Sequence, residues 1–261
     1  MYESLAKVLT FTHEAFRFGV PHFPARNIIP IRTSAHFIAF DADRISPLYT
    51  MTGVTPGSSE TNVSREDNFA SGEFTLPDEL CTTEGDYRAW NKEHPEFPVD
   101  KGHSLGSQFA RSDDQVQSDV DTLAGVTPES SPVNRHIKGP LESAIKAYSL
   151  RQTHSVLVQG PLWHGPAPIH GHLRNGQWIP DAMWITACFT FRKKIRAYAW
   201  VMQNTADRQD ASLCELPVRV LENQTGLVFW SNVGSSKFQR SLELTSGETW
   251  WKAGQPGDDS K

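Results

Sequence analysis

The chain has 261 residues and a formal net charge of −5, from 25 Lys and Arg against 30 Asp and Glu. Hydrophobic residues make up 38% and aromatics 10%, enough to bury the core of one large domain or two small ones. The acidic balance excludes a protein that coats nucleic acid by bulk charge, though not an enzyme with a local basic groove.

From the N-terminus, Leu5, Val8, Leu9 and Phe16 are spaced for a weakly amphipathic helix over residues 5–18. No charged-then-apolar secretory pattern is present, and Glu3 and Glu14 count against a mitochondrial transit peptide. A cytoplasmic protein is expected, with a mitochondrial one as the alternative. Residues 36–40 and 47–51 read as two strands joined by a turn at 41–44. Residues 52–64, rich in Gly, Ser and Thr, form a loop before Arg65. Residues 104–120 are polar without helical periodicity. Ile137, Leu141, Ile145 and Tyr148 predict a helix over 134–150. Strands follow near 155–159, 184–191 and 196–203, then an amphipathic helix near 214–223. No repeat or linker divides the chain, so one domain over 31–245 is expected. It lies between an N-terminal extension (1–30) and a disordered C-terminal tail (246–261). No apolar run reaches membrane-spanning length. Cys81, Cys188 and Cys214 form no close pair, which indicates no disulfide framework.

The residues that carry chemistry begin with Asp100-Lys101-Gly102-His103, followed by Asn134 and by Glu142 eight residues further on (142 − 134). A histidine with a near-neutral pKa can take a proton from an attacking water. A single Asn carbonyl suits Mg²⁺, which dehydrates reluctantly and keeps most of its waters. Glu142 can hold such waters at one remove. Arg135, Lys138, Lys146 and Arg151 flank Glu142, and residues 192–196 form a short basic run. The plain alternative for each is a solvated face.

These residues resemble the DNA/RNA non-specific endonucleases of the ββα-metal type, the group that includes endonuclease G. That family carries Asp-Arg-Gly-His, then Thr-Pro-Gln or Ser-Pro-Gln, then the metal Asn, then Leu-Glu. Here the same order reads Asp100-Lys101-Gly102-His103, Thr127-Pro128-Glu129, Asn134 and Leu141-Glu142. Later landmarks are Gly160-Pro161-Leu162-Trp163, Ile179-Pro180, and Glu222 followed by Thr225-Gly226-Leu227. The chain departs from the pattern at Lys101 (for Arg), Gly125 (for Asn), Glu129 (for Gln), Lys138 (for an aromatic) and Pro140 within the metal helix. Pro140 allows two readings: a helix starting near Gly139 with Asn134 on its approach, or, preferred, a helix bent there.

The resemblance implies an α+β fold, with a central mostly antiparallel sheet flanked by helices and a ββα-metal site. It implies Mg²⁺-dependent hydrolysis of DNA and RNA to 5′-phosphate ends, with Mn²⁺ able to substitute. His103 is then the general base and Asn134 the metal ligand. Glu142 orders metal-bound water, and Asp100 orients its neighbours. Arg65, Lys101, Lys146 and Arg135 are candidates for phosphate contact. Implied partners are DNA and RNA, with a homodimer and an inhibitor protein open and no membrane. Two rival readings stand beside this one. The first is a catalytically silent nucleic-acid- or partner-binding protein on the same fold. The second is a zinc-dependent hydrolase built on His164, His170 and His172.

Overall fold

In a computed structural model of the chain, the described residues are 17–21, 27–33, 36–54, 76–104, 106, 109, 122–151, 155–191, 194–207 and 209–233. Seven strands form one antiparallel sheet in the order β1-β2-β3-β6-β7-β8-β9. They are β1 (Ile28–Arg32), β2 (Phe37–Asp41), β3 (Ser46–Val54), β6 (Ser155–Leu162), β7 (Ala182–Phe191), β8 (Lys194–Gln203) and β9 (Glu215–Leu216). Two further strands, β4 (Val99–His103) and β5 (Val126–Ser130), form a separate antiparallel pair among the described residues. The fold is α+β, as the sequence implies.

The sheet is buried on both faces, and the period of two along β7 shows how. Met183, Ile185, Ala187 and Phe189 face one apolar cluster; Ala182, Trp184 and Cys188 face the other. The second face is covered by Phe18, Trp230 and helix α3 (Val218–Thr225) through Val218 and Leu221. The first is covered by helix α2, which runs without a gap through Ser131–Val133, Asn134–Lys138 and Gly139–Ser149. Val133, Ile137, Leu141 and Ile145 are its apolar stripe. The ββα unit β4-β5-α2 therefore stands on the sheet by the face that α2 buries.

Helix α2 begins three residues before the expected start (134 − 131) and neither starts nor breaks at Pro140. Asn134–Lys138 is a π-helical turn in which the Gly139 amide donates to the Asn134 carbonyl. The widened turn ends just before Pro140, so its missing N–H falls in the first turn of the next α-helical stretch, where proline is tolerated. The helix expected at 214–223 starts only at Val218, because Pro217 serves as its N-cap. Helix α1 (Glu84–Glu93), which periodicity does not predict, packs Tyr87 and Trp90 against Val99 of β4. Among the described residues no helix is long and apolar enough to cross a membrane. The three cysteines are free thiols. The expected helix over 5–18, Arg65 with most of its loop, most of 104–120 and the C-terminal tail lie outside the described residues, apart from their ends.

Candidate active site

The strand β4 presents the motif, and its register with β5 decides which side chains meet α2. Asp100 lies opposite Glu129, Gly102 opposite Thr127 and His103 opposite Val126. Side chains directly opposite one another share a face, so Asp100, Gly102, Thr127 and Glu129 form one side of the ribbon. That is the side α2 packs on.

Asp100 is the hub. Its Oδ1 accepts from Ser131 Oγ at 2.9 Å and Arg135 Nη2 at 2.7 Å. Its Oδ2 accepts from Arg135 Nε at 2.7 Å and Asn134 Nδ2 at 3.3 Å. Three residues in the first turns of α2 thus converge on one carboxylate, and the Asp100 hydrogen bond holds the Arg135 guanidinium above its ordinary range. Asn134 is half-buried. Its amide nitrogen is anchored on the Asp100 carboxylate, so of the two amide atoms only the carbonyl oxygen could serve as a metal ligand. A carboxylate already accepting four hydrogen bonds suits an orienting role for Asp100.

His103 ends β4 and is buried, at 8% exposure. Its main-chain carbonyl accepts a hydrogen bond from Lys138 Nζ. Lys138 Nζ also lies 2.6 Å from Glu129 Oε1, in an ion pair whose side chains are 3% and 0% exposed. Thr127 Oγ1 donates to the same Glu129 oxygen at 3.1 Å. Burial pushes the Glu129 carboxyl above its ordinary range, while the Lys138 ammonium and the Thr127 hydroxyl draw it back down. A Cβ at Gly102 would sit 2.1 Å from Glu129 Cδ, so the glycine of the motif makes room for this pair. The Ser104 carbonyl, one residue past His103, accepts from Thr50 Oγ1 at 2.5 Å, which ties the end of β4 to the main sheet.

Glu142 is buried on α2, and a Cβ at Gly106 would lie 2.4 Å from its Oε2. Gly106 thus lies directly against this carboxylate. Lys101 turns to the opposite side and pairs with Glu84 of α1 at 2.6 Å. That contact holds the Glu84 carboxyl below its ordinary range. Arg135, paired with Asp100, is still 65% exposed. Lys146 is half-buried one turn beyond Glu142.

His164, His170 and His172 do not converge. His170 stacks on Phe97 with ring centroids 4.8 Å apart, and His172 Nδ1 lies 2.9 Å from the Leu173 carbonyl. Among the described residues no group of three or more His, Cys, Asp or Glu is placed to hold a metal ion. The histidine-only zinc set is therefore not assembled.

One contributor carries no sequence signal. Asn204, fully buried just after β8, accepts from the Ser130 amide at 2.7 Å and donates to the carbonyls of Pro180 and Pro128 at 2.8 and 3.3 Å. It fastens the end of β5, immediately before α2, to the large sheet.

The family model for the DNA/RNA non-specific endonucleases matches residues 16–236. The chain belongs to this family. A chain in the crystal structure of the EndoG/EndoGI complex, a structure concerned with the mechanism of EndoG inhibition, has the same fold. The TM-score is 0.72 at 17% identity, covering 85% of this chain and 91% of that one. No curated protein sequence matches the chain. His103, Asn134 and Glu142, three of the residues that carry the sequence resemblance, lie on β4 and α2.

Proposed function

We propose that the protein is a Mg²⁺-dependent endonuclease that hydrolyses DNA and RNA with little regard for sequence or sugar and leaves 5′-phosphate ends. The observation that carries this reading is the Asn134 side chain, whose amide nitrogen is anchored on the Asp100 carboxylate in the first turns of α2. Asn134 would hold the ion, Mg²⁺ or Mn²⁺ in substitution, with Asp100, Ser131 and Arg135 fixing the ligand's orientation. When bound, the ion would neutralise charge on the scissile phosphate and acidify its own waters.

The chain's own residues supply the rest. His103 takes the proton of the attacking water. Glu142 orders water beside Asn134. Lys146, the exposed flank of Arg135 and Arg65 are the proposed phosphate contacts, and because such contacts are to the backbone, sequence preference should be slight. A non-specific nuclease needs restraint, and the complex of EndoG with EndoGI supports extending control by an inhibitor protein to this chain. A domain over 31–245 and a cytoplasmic location complete the proposal on sequence grounds, and the family resemblance adds a homodimer.

One observation favours the silent binding protein instead. Three cations at the motif, Lys101, Arg135 and Lys138, pair within the protein, with Glu84, Asp100 and Glu129. Incubation of the purified protein with supercoiled plasmid and structured RNA, with Mg²⁺ or with EDTA, separates the readings. The nuclease reading expects nicking, linearisation and RNA fragmentation with Mg²⁺ alone. Intact nucleic acid in every lane would favour the silent protein.

A further inference from the structure

We infer that Lys138 is a positioning residue for His103, acting through a hydrogen bond to the histidine's main-chain carbonyl and held in place by Glu129. This rests on the reading of His103 as the general base. The starting observation is that two departures from the family pattern, Glu129 for Gln and Lys138 for an aromatic, are in direct contact at 2.6 Å. They lie nine residues apart, on β5 and on the π-helical turn of α2.

The arrangement is an expensive way to fill a core. A buried ion pair rarely exceeds a well-packed apolar replacement in stability, and Glu129 Oε2 has no hydrogen-bond partner among the described residues. What the pair provides that an aromatic side chain cannot is a donor on α2 long enough to reach the His103 carbonyl. That bond links the residue carrying the imidazole to the turn carrying Asn134, four residues from Lys138 along the helix (138 − 134). Gly102 admits the Glu129 carboxylate, and Thr127 donates to the oxygen that grips the ammonium. Each group around Lys138 thus serves to hold its nitrogen at one place. Small displacements of a catalytic group cost large factors in rate, which is why a bond to the backbone of His103 bears on turnover.

The test compares Lys138→Met, Glu129→Gln and the double variant with the wild type. Plasmid cleavage, thermal unfolding and the His103 ring signal in ¹H–¹³C NMR (assigned with His103→Ala) are measured for each. In Lys138→Met we expect kcat to fall roughly 10- to 100-fold, the range for removing groups that orient an active-site residue, with KM for plasmid within about twofold. The double variant, with no buried charge left, should regain the melting temperature of the wild type but not its kcat. Glu129→Gln keeps the Lys138 donor and, in its amide oxygen, an acceptor to hold it, and should keep most of kcat. A double variant that recovers stability and kcat together would overturn the inference, since the pair would then be structural only. The His103 signal should shift in Lys138→Met and in the double variant but not in Glu129→Gln. An unchanged signal in all three would overturn the inference even if the wild type cleaves nothing, whereas an inactive wild type with the expected shifts counts against the nuclease reading alone.

Discussion

Arg135 grips Asp100 with both arms of its guanidinium, Nε to Oδ2 and Nη2 to Oδ1, each at 2.7 Å. A forked pair of this kind fixes direction as well as distance, so it sets how the first turns of α2 lie against β4. The same carboxylate holds the Asn134 side-chain nitrogen. Asp100→Ala should therefore free the Asn134 amide to rotate and raise the Mg²⁺ concentration for half-maximal cleavage by about 10- to 100-fold. Arg135→Lys, which cannot reproduce the fork, should fall between this variant and the wild type. A Mg²⁺ titration of the cleavage rate checks both. An unchanged midpoint in Asp100→Ala would mean that Asn134 is not the ligand Asp100 orients.

Two glycines make opposite demands. At Gly102 a Cβ would overlap Glu129 at 2.1 Å and 2.2 Å, forcing that carboxylate off Lys138. Gly102→Ala should destabilise the fold by about 3–5 kcal/mol, the cost of breaking a buried pair, and urea unfolding would show it. At Gly106 the added methyl meets the far end of the Glu142 side chain, 2.4 Å from Oε2 and 2.8 Å from Cδ. Gly106→Ala should cost about 1–3 kcal/mol of overpacking while lowering cleavage disproportionately. Full activity in Gly106→Ala would count against a role for Glu142 in ordering water.

Much of this architecture is readable from the sequence because it follows from period and composition. The apolar runs around Val156–Val158 and Trp184–Phe189 must be strands buried on both faces, and Ile137, Leu141 and Ile145 must share a helix face. The candidate site residues His103, Asn134 and Glu142 are proposed from their order along the chain. Other features are hidden for physical reasons. Helix α1 buries only Tyr87 and Trp90, too few to show a period, and is marked instead by Asp86 accepting from the Thr83 amide at 2.8 Å. The strands β4 and β5 are short and polar, and they exist through their pairing with each other and with α2. The contact of Lys138 with Glu129, and the three bonds of Asn204, depend on how separate elements meet, which no local pattern encodes.

The Lys101–Glu84 contact gives a prediction in pH. The Lys101 hydrogen bond depresses the folded pKa of Glu84 below its value of 4.5 in the unfolded chain. A depressed carboxylate contributes stability that is fully present above the unfolded pKa and is lost as pH falls through the folded one. Glu84→Gln should therefore be less stable than the wild type near pH 7, with the gap closing as pH drops below about 4.5. Because the pair is partly exposed, with side chains 26% and 39% accessible, the gap should also shrink in high salt. Thermal unfolding across pH checks the sign. A gap that widens in acid would show that Glu84 is not stabilised in its charged form.

The central claim is that His103, at the end of β4, is the base of a Mg²⁺-dependent nuclease. The most direct measurement compares wild type and His103→Ala on supercoiled plasmid and structured RNA with Mg²⁺, after circular dichroism has shown both to be folded. The account predicts cleavage by the wild type and a loss of at least about 100-fold in the variant, the lower range for removing a general base. Cleavage by folded His103→Ala at the rate of the wild type would contradict it.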